Sequence, residues 1–558
     1  MTCTPFSQHY ELVWCEMMRL LSYFWTFLVQ LRTWLKAEGS SSTAYASSRP
    51  SNSYGSSKAP SIPKRLKKFY GANMVESYIT TIIAGGLTFS AGFTFSLYRL
   101  SLSPLCRHVS SPDCFNVTFL KLAAMNEPAH PINYVPYASA ILSYVNFTIN
   151  TGSLLLGLYI GCVLSNHYGR RKTMFISSIP NIFGWCLLFL FAVTKLSLFY
   201  FGAQALNALG AGIILISTTV YLVEVCGRKQ FVYISCCIGF PMVTGFLLGW
   251  LVHIQHVPPT YYAYPRDASE IKVIEEAVEI ISDAWVHWSV YAAVGMVIAI
   301  VNIGAVCMLP ESPYWLVQAG DFEGATAAME VLKSKYDDTA KEIEEIKSLE
   351  LSAQLIKCDN TVYSFIQYCL DKRRCSLIYA ILLITLQQLG GANLILSYVD
   401  SLYGYSFGNG EHGATRTGYI SCQFLLISWL LSKFFSHRTF LLVGIFMVAI
   451  SSFSYTIFLG LFLNHYKTNH YAIYILWTYA ASQSISAIQF LPLIQFTAGL
   501  SSSQMRSLGC FITFSIIIFV SYMASLLSTV ISCYVLFLMF ALANATALVV
   551  IIIFSYKM

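Results

Sequence analysis

Twelve stretches of this 558-residue chain stay apolar over roughly the length a helix needs to cross a bilayer, about 20 residues. They run near 76–100, 151–167, 173–193, 197–222, 231–252, 285–309, 376–402, 416–434, 440–463, 471–498, 508–528 and 531–555. Hydrocarbon offers no water to backbone N–H and C=O groups, so each stretch must satisfy its own hydrogen bonds, which a helix does. The expected fold class is an all-α polytopic membrane protein, with twelve transmembrane helices in two six-helix bundles and a cytosolic central loop. The composition agrees: 56% hydrophobic and only 11% charged residues lie far from a soluble domain. The expected organisation is a cytosolic N-terminal region over 1–75, a first bundle over 76–309, the loop over 310–375, and a second bundle with a short tail over 376–558.

The excess of basic residues, a formal net charge of +7, follows from orientation in the membrane and does not point to nucleic acid. With both termini cytosolic, only Arg99, Arg107, Lys121, Lys195, Arg266, Lys272, Arg416 and Lys467 of the 34 Lys and Arg fall on the outer side. That is the positive-inside bias. Residues 12–35 read as an interfacial helix, with a membrane-inserted segment as the alternative. A Ser-rich linker over 39–62 follows, then a basic cluster of Lys64, Arg65, Lys67 and Lys68, which suits orientation or contact with anionic lipid. In the first outer loop, Asn116-Val-Thr118 and Asn146-Phe-Thr148 match the N-glycosylation triplet, and Cys106 and Cys114 share a loop where a disulfide could form. A third triplet, Asn544-Ala-Thr546, lies inside a span and is expected to be silent. No metal-ligand spacing, phosphate loop or nucleophile–base pair is placed for chemistry, so no enzyme activity and no cofactor are expected.

Polar residues inside the spans carry the functional signal. Gln387-Gln388-Leu-Gly-Gly-Ala-Asn393 and Tyr398 sit within the apolar run 376–402. Carboxamides are costly in hydrocarbon unless they face a partner or a wet cavity. They are neutral and both donate and accept hydrogen bonds, which suits a neutral polyol. The residues alone leave two readings open: a binding site, or polar glue between helices. At span ends, Arg170, Arg171, Glu224, Arg228 and Glu311 gather opposite charges at the cytosolic side. They read either as a network that closes this side or as separate orientation charges.

Four stretches together resemble the sugar porter family of the major facilitator superfamily, most like its insect facilitated trehalose transporter branch. They are Asn166-His-Tyr-Gly169-Arg170-Arg171, Tyr221-Leu-Val-Glu224 with Arg228, Pro310-Glu311-Ser312-Pro313-Tyr314-Trp315-Leu316, and the glutamine stretch. The resemblance covers about 70–556. It implies sugar contacts at Gln387, Gln388, Asn393 and Tyr398, a cytosolic gate at Arg170, Arg171, Glu224, Arg228 and Glu311, and a plasma-membrane location. Departures are numerous. The usual motif aspartate is Asn166, the arginine of the fourth span is Gln204, the arginine after Pro313 is Tyr314, and the glutamine of the fifth span is Gly239. In the second half the gate acids are gone, Gly499 and Ser502 stand where a glutamate and a proline are usual, and Ile494, Ile517 and Ile518 replace polar or aromatic pocket residues. Lys433, Arg438 and Arg506 are left without obvious acidic partners, with lipid phosphate or the acid-rich loop 342–350 as candidates. That loop, from Asp337 to Glu350, is otherwise expected to be a solvated helical face.

The first span carries Thr80, Thr81, Thr88, Ser90, Thr94 and Ser96 but no acid in its interior. Proton-coupled transport needs a protonatable group near the cavity. The expectation is facilitative transport of a neutral sugar, of the glucose or trehalose class, by alternating access without proton coupling. The alternative is a diverged porter-fold protein that does not transport sugar, acting as a sensor or interaction partner or carrying a more apolar solute. The expected partners are a small neutral sugar and membrane lipid.

Overall fold

The computed structural model describes residues 75–100, 137–194, 196–226, 231–254, 271–332, 339–355, 374–391, 413–431, 434–462, 471–485, 490–500, 502–530 and 533–555. The chain divides into Met1–Ser61, which lies outside these residues, and Ile62–Met558. The expected N-terminal helix and linker, the Cys106–Cys114 pair, Asn116, Arg228, Asn393, Tyr398 and Lys433 also lie outside the described residues.

The described chain is helical. The first half is α1 (Val75–Gly86), α2 (Thr88–Leu100), α3 (Tyr137–Tyr168), α4 (Arg170–Thr194), α5 (Ser197–Cys226), α6 (Phe231–Ile254) and α7 (Ile271–Met308). A connecting segment holds α8 (Pro313–Ala319), α9 (Phe322–Leu332) and α10 (Thr339–Leu355). The second half is α11 (Arg374–Leu389), α12 (Gly413–Leu431), α13 (His437–Phe462), α14 (Tyr471–Ile485), α15 (Leu491–Ala498), α16 (Ser503–Val530) and α17 (Cys533–Ser555). Among the described residues, 9 helices are long and apolar enough to cross a membrane. The other three expected spans fall on α11, α12 and the α14–α15 pair. Two helices start earlier than expected: α3 at Tyr137 and α7 at Ile271. Hydropathy marks only the lipid-facing length, and neither leading stretch contains a glycine or proline to stop the helix.

Each half is held by close helix contacts. α2 packs on α6, α3 and α4 pack on α5, and α7 packs on α4; in the second half α13 packs on α17 and α14. The first span breaks at Leu87, and Thr88 Oγ1 ties the break by donating to Gly85 O at 2.7 Å and Ile238 O at 2.9 Å. Neighbours α4 and α5 share a reciprocal contact. The sequences Asn181-Ile-Phe-Gly184 and Asn207-Ala-Leu-Gly210 lie antiparallel, with each asparagine over the other helix's glycine. A Cβ at Gly210 would meet Asn181 Oδ1 at 2.1 Å, and one at Gly184 would meet Asn207 Oδ1 at 2.6 Å. Only glycine lets the two backbones approach this far around a carboxamide. Farther along, Phe93 of α2 stacks on Tyr291 of α7 at 4.6 Å and meets Trp185 of α4 at 5.4 Å.

The halves meet along α6 with α12 and α3 with α16. Tyr233 packs on Trp429 across the first contact and Tyr159 on Phe511 across the second. One apolar cluster runs through both halves and includes Ile238, Ile384, Phe490, Ile494, Phe514 and Ile517, all buried. The end of the molecule that carries α8–α10 is called the loop face below. Those three helices have their own small core of Val317, Ala325, Met329 and Ile346, with Tyr314 and Ile343 packed on it.

Candidate functional site

Two polar constellations stand out. The first is at the loop face, where α4 begins. Gly169 links α3 to α4 with φ +91, a left-handed conformation that favours glycine. Its turn aims the next two N–H groups at a carboxylate: Arg170 N and Arg171 N donate to Glu311 Oε1 at 2.8 and 3.2 Å, and Ser312 N adds a third bond at 3.0 Å. A Cβ on residue 169 would lie 2.7 Å from Glu311 Oε2. Burial pushes the Glu311 carboxyl above the usual range, and these backbone bonds pull it back.

The Arg170 side chain is fully buried. Its guanidinium grips Glu224 side-on, with Nε to Oε2 at 3.0 Å and Nη2 to Oε1 at 2.9 Å. Nη1 donates to Ser165 O at 2.7 Å. Nη2 also reaches across to the second half, donating to Ser503 O at 2.9 Å and Ser503 Oγ at 2.7 Å. Both oxygens of Glu224 take a second donor, Ser503 Oγ at 2.7 Å and Ser312 Oγ at 2.5 Å. A buried ion pair is tolerable only when its remaining hydrogen-bonding capacity is met, and here it is met from α3, α5, the α8 N-cap and α16. Trp315 Nε1 fastens the connecting segment by donating to Asn166 O at 3.1 Å. The structure thus brings Arg170, Glu224 and Glu311 together as the charge pattern suggests. Arg171 differs: its guanidinium takes the Cys307 carbonyl at 3.1 Å, and only its N–H joins the cluster.

The second half presents a different arrangement at the same face. Arg506, 2% exposed, donates through Nε to Leu500 O at 3.0 Å and lies 4.2 Å from the Tyr314 ring centre. Glu350 departs from the expectation of a solvated face. It is 5% exposed, and its Oε1 accepts from Ser503 N, the first residue of α16, at 2.6 Å. The reason is its register on α10, where Ile343, Ile346 and Glu350 share one side at helical spacing, and that side faces the small core.

The second constellation ends α11. Gln387 and Gln388 are 3% and 2% exposed. Ser521 Oγ of α16 donates to Gln388 Oε1 at 2.7 Å. Neither carboxamide atom of Gln387 has a hydrogen-bond partner among the described residues. The helix then stops at Gly390–Gly391, where Gly391 has φ +86. The freed Gly390 carbonyl accepts from the Tyr479 hydroxyl of α14 and from Asn544 Nδ2 of α17 at 3.4 Å. Sequence reasoning missed both supports. Asn544 drew notice only as a silent glycosylation triplet, although a carboxamide deep in an apolar helix is itself a signal of a polar partner. Just loop-ward of the glutamines, Ile384 of α11 joins Ile494, Phe514 and Ile517, so the carboxamides border an apolar floor. Gly239 stands beside it, where a Cβ would be 3.7 Å from Leu425 Cδ2. Asn146, the second glycosylation candidate, lies within α3.

Comparison with known proteins agrees with this architecture. The family described as sugar (and other) transporter matches residues 116–558. Sugar transporter ERD6-like 6 of Arabidopsis thaliana is 26% identical, over 53% of this chain and 56% of the relative. The facilitated trehalose transporter Tret1 of Polypedilum vanderplanki is 24% identical, over 45% of this chain and 42% of the relative. The matched region thus spans about half the length of these curated relatives. Among solved structures, the proton:xylose symporter XylE bound to 6-bromo-6-deoxy-D-glucose superimposes with a TM-score of 0.61 at 15% identity, covering 86% of this chain and 95% of that one. The fold is that of the major facilitator superfamily, in an all-helical, multi-pass membrane protein.

Proposed function

We propose that this chain, which belongs to the sugar (and other) transporter family, carries a small neutral sugar of the glucose or trehalose class by alternating access, without proton coupling. The observation that carries the reading is Gln387: a neutral carboxamide, 3% exposed, with both polar atoms unpartnered among the described residues, beside a helix break held open by Tyr479 and Asn544. A buried polar group without a partner is costly, and a hydroxylated cargo that supplies both a donor and an acceptor removes the cost. Gln388, Asn393 and Tyr398 complete the sugar contacts in this reading. Facilitative transport is supported by the first span, whose interior from Ile79 to Ser96 holds hydroxyls but no acid. XylE is a proton symporter, so the absence of coupling is a property proposed for this chain alone.

In this reading the loop face is cytosolic, as are both termini, and the charge network of Arg170, Arg171, Glu224, Arg228 and Glu311 is the cytosolic gate. The protein resides in the plasma membrane with Asn116 and Asn146 as glycosylation candidates, 76–309 and 376–558 act as the two moving bundles, and lipid is the surrounding partner. A second reading has one observation in its favour: Ile494, Phe514 and Ile517 form an apolar floor under the glutamines. That floor suits a more apolar solute, or a sensor that does not transport sugar.

Uptake of labelled glucose and trehalose in oocytes, with surface expression measured by labelling, separates the readings. The expected result is uptake above water-injected cells that Gln387→Ala lowers about tenfold, the size of one hydrogen-bonding side chain lost. Uptake should survive collapse of the proton gradient. No uptake of either sugar at good surface expression would sink the sugar reading and favour the second.

A further inference from the structure

We propose that Glu350, on the connecting segment, is the gate carboxylate of the second half: it holds the start of α16 against the first half and sets how readily the loop face opens. This does not rest on the identity of the cargo.

Ser503 is the junction. Its N–H goes to Glu350 at 2.6 Å, its hydroxyl to Glu224 at 2.7 Å, and its carbonyl and hydroxyl oxygens receive Arg170 at 2.9 and 2.7 Å. The first residue of a 28-residue helix is therefore held by two carboxylates and a guanidinium, none of them from the second half. An anion at a helix N-terminus meets both free N–H groups and the positive end of the dipole. The second half has no acid of its own there, since Gly499 and Ser502 precede the helix.

Glu350 is also rigidly mounted on the opposite side of the opening line. It rides on α10, which packs with α8 and α9 through Val317, Met329 and Ile346. That segment is fastened to the first half by Glu311, by Ser312 on Glu224 and by Trp315 on Asn166. A second contact points the same way. Tyr314 stands where an arginine is usual in the resembled motif, and its ring faces Arg506 of α16 at 4.2 Å. An arginine there would face Arg506 with like charge; a ring attracts it. The connecting segment thus supplies both a carboxylate to the start of α16 and a ring to its arginine. Separation of the halves at this face must break both.

Native thiols report the opening. Cys162 of α3 and Cys510 of α16 are 3% and 0% exposed within the cluster shared by both halves, whereas Cys236 of α6, 1% exposed, lies outside that cluster. The full-length protein in native membranes is labelled with N-ethylmaleimide, and the rate at each cysteine is read by mass spectrometry. Glu350→Ala should speed labelling of Cys162 and Cys510 about tenfold, the equivalent of one charge-assisted hydrogen bond, and leave Cys236 unchanged. Glu350→Gln, which keeps an acceptor for Ser503 N, should stay within about threefold of the parent. Tyr314→Ala should raise the same two cysteines by about threefold. Parent-like rates in Glu350→Ala, or a rise at Cys236 equal to that at Cys162 and Cys510, would overturn the proposal, the latter because it reports general loosening.

Discussion

The two halves close the same face with opposite strategies. In the first, a buried arginine, Arg170, meets its own half's carboxylate, Glu224, in a side-on pair at 2.9 and 3.0 Å. In the second, the corresponding arginine, Arg506, has a backbone carbonyl and an aromatic ring, and the nearby acid is lent by the connecting segment. The first arrangement is intolerant, because removing either partner strands a charge away from water. The second is assembled from contacts of moderate strength spread over two segments. The start of α16, which has no acid of its own half beside it, is thus covered by a carboxylate from the connecting segment.

That contrast can be broken or sharpened by substitution. The largest effect is expected for Glu224→Ala, which strands Arg170 and removes the acceptor for Ser312 and Ser503; a loss of about 3–5 kcal/mol is expected. Unfolding of the purified protein by titration with sodium dodecyl sulfate in mixed micelles measures it. Arg506→Met keeps the side-chain bulk but gives up one hydrogen bond and one cation–π contact, and should lose only about 1–2 kcal/mol in the same assay. Equal losses from the two variants would erase the distinction between the halves.

The smallest effect concerns pH. Glu311 is held above the usual carboxylate range by burial, against the pull of three backbone donors. The native state then binds more protons than the unfolded state between the ordinary carboxylate pKa and the raised one. Its contribution is present below that window and is lost as pH rises through it. Melting midpoints followed from acid to neutral pH should show this decline in the parent, and the slope should be shallower in Glu311→Gln. An unchanged slope would mean that the Glu311 carboxyl titrates alike in the folded and unfolded states.

The spans, their order and the Arg170–Glu224–Glu311 cluster are legible in the amino-acid sequence, from hydropathy and from charges placed at helix ends. Gln387 and Gln388 are legible because carboxamides are conspicuous in an apolar run. Glu350 is legible only in part, since the run 342–350 is a candidate partner for the second half's basic residues but composition does not single out its last acid. Its register with Ile343 and Ile346 is visible, but only the fold shows what that side of α10 touches. Tyr479 is hidden, because a tyrosine in an aromatic-rich span carries no mark of the carbonyl its hydroxyl will meet. The lost pocket residues are legible as departures, whereas their merger into one apolar floor with Phe490 and Phe514 depends on packing between the halves.

The reciprocal asparagine–glycine contact of α4 and α5 bears on how such a chain is made. Synthesised alone, α4 would present Asn181 to acyl chains, and α5 would present Asn207. Joined by the short link at 195–196, the two helices hide both carboxamides from lipid by covering each other's glycines. The hairpin thus covers both carboxamides, which neither helix does alone. Biogenesis of the first half would then favour delivering α4 and α5 together, before any residue of the second half has left the ribosome.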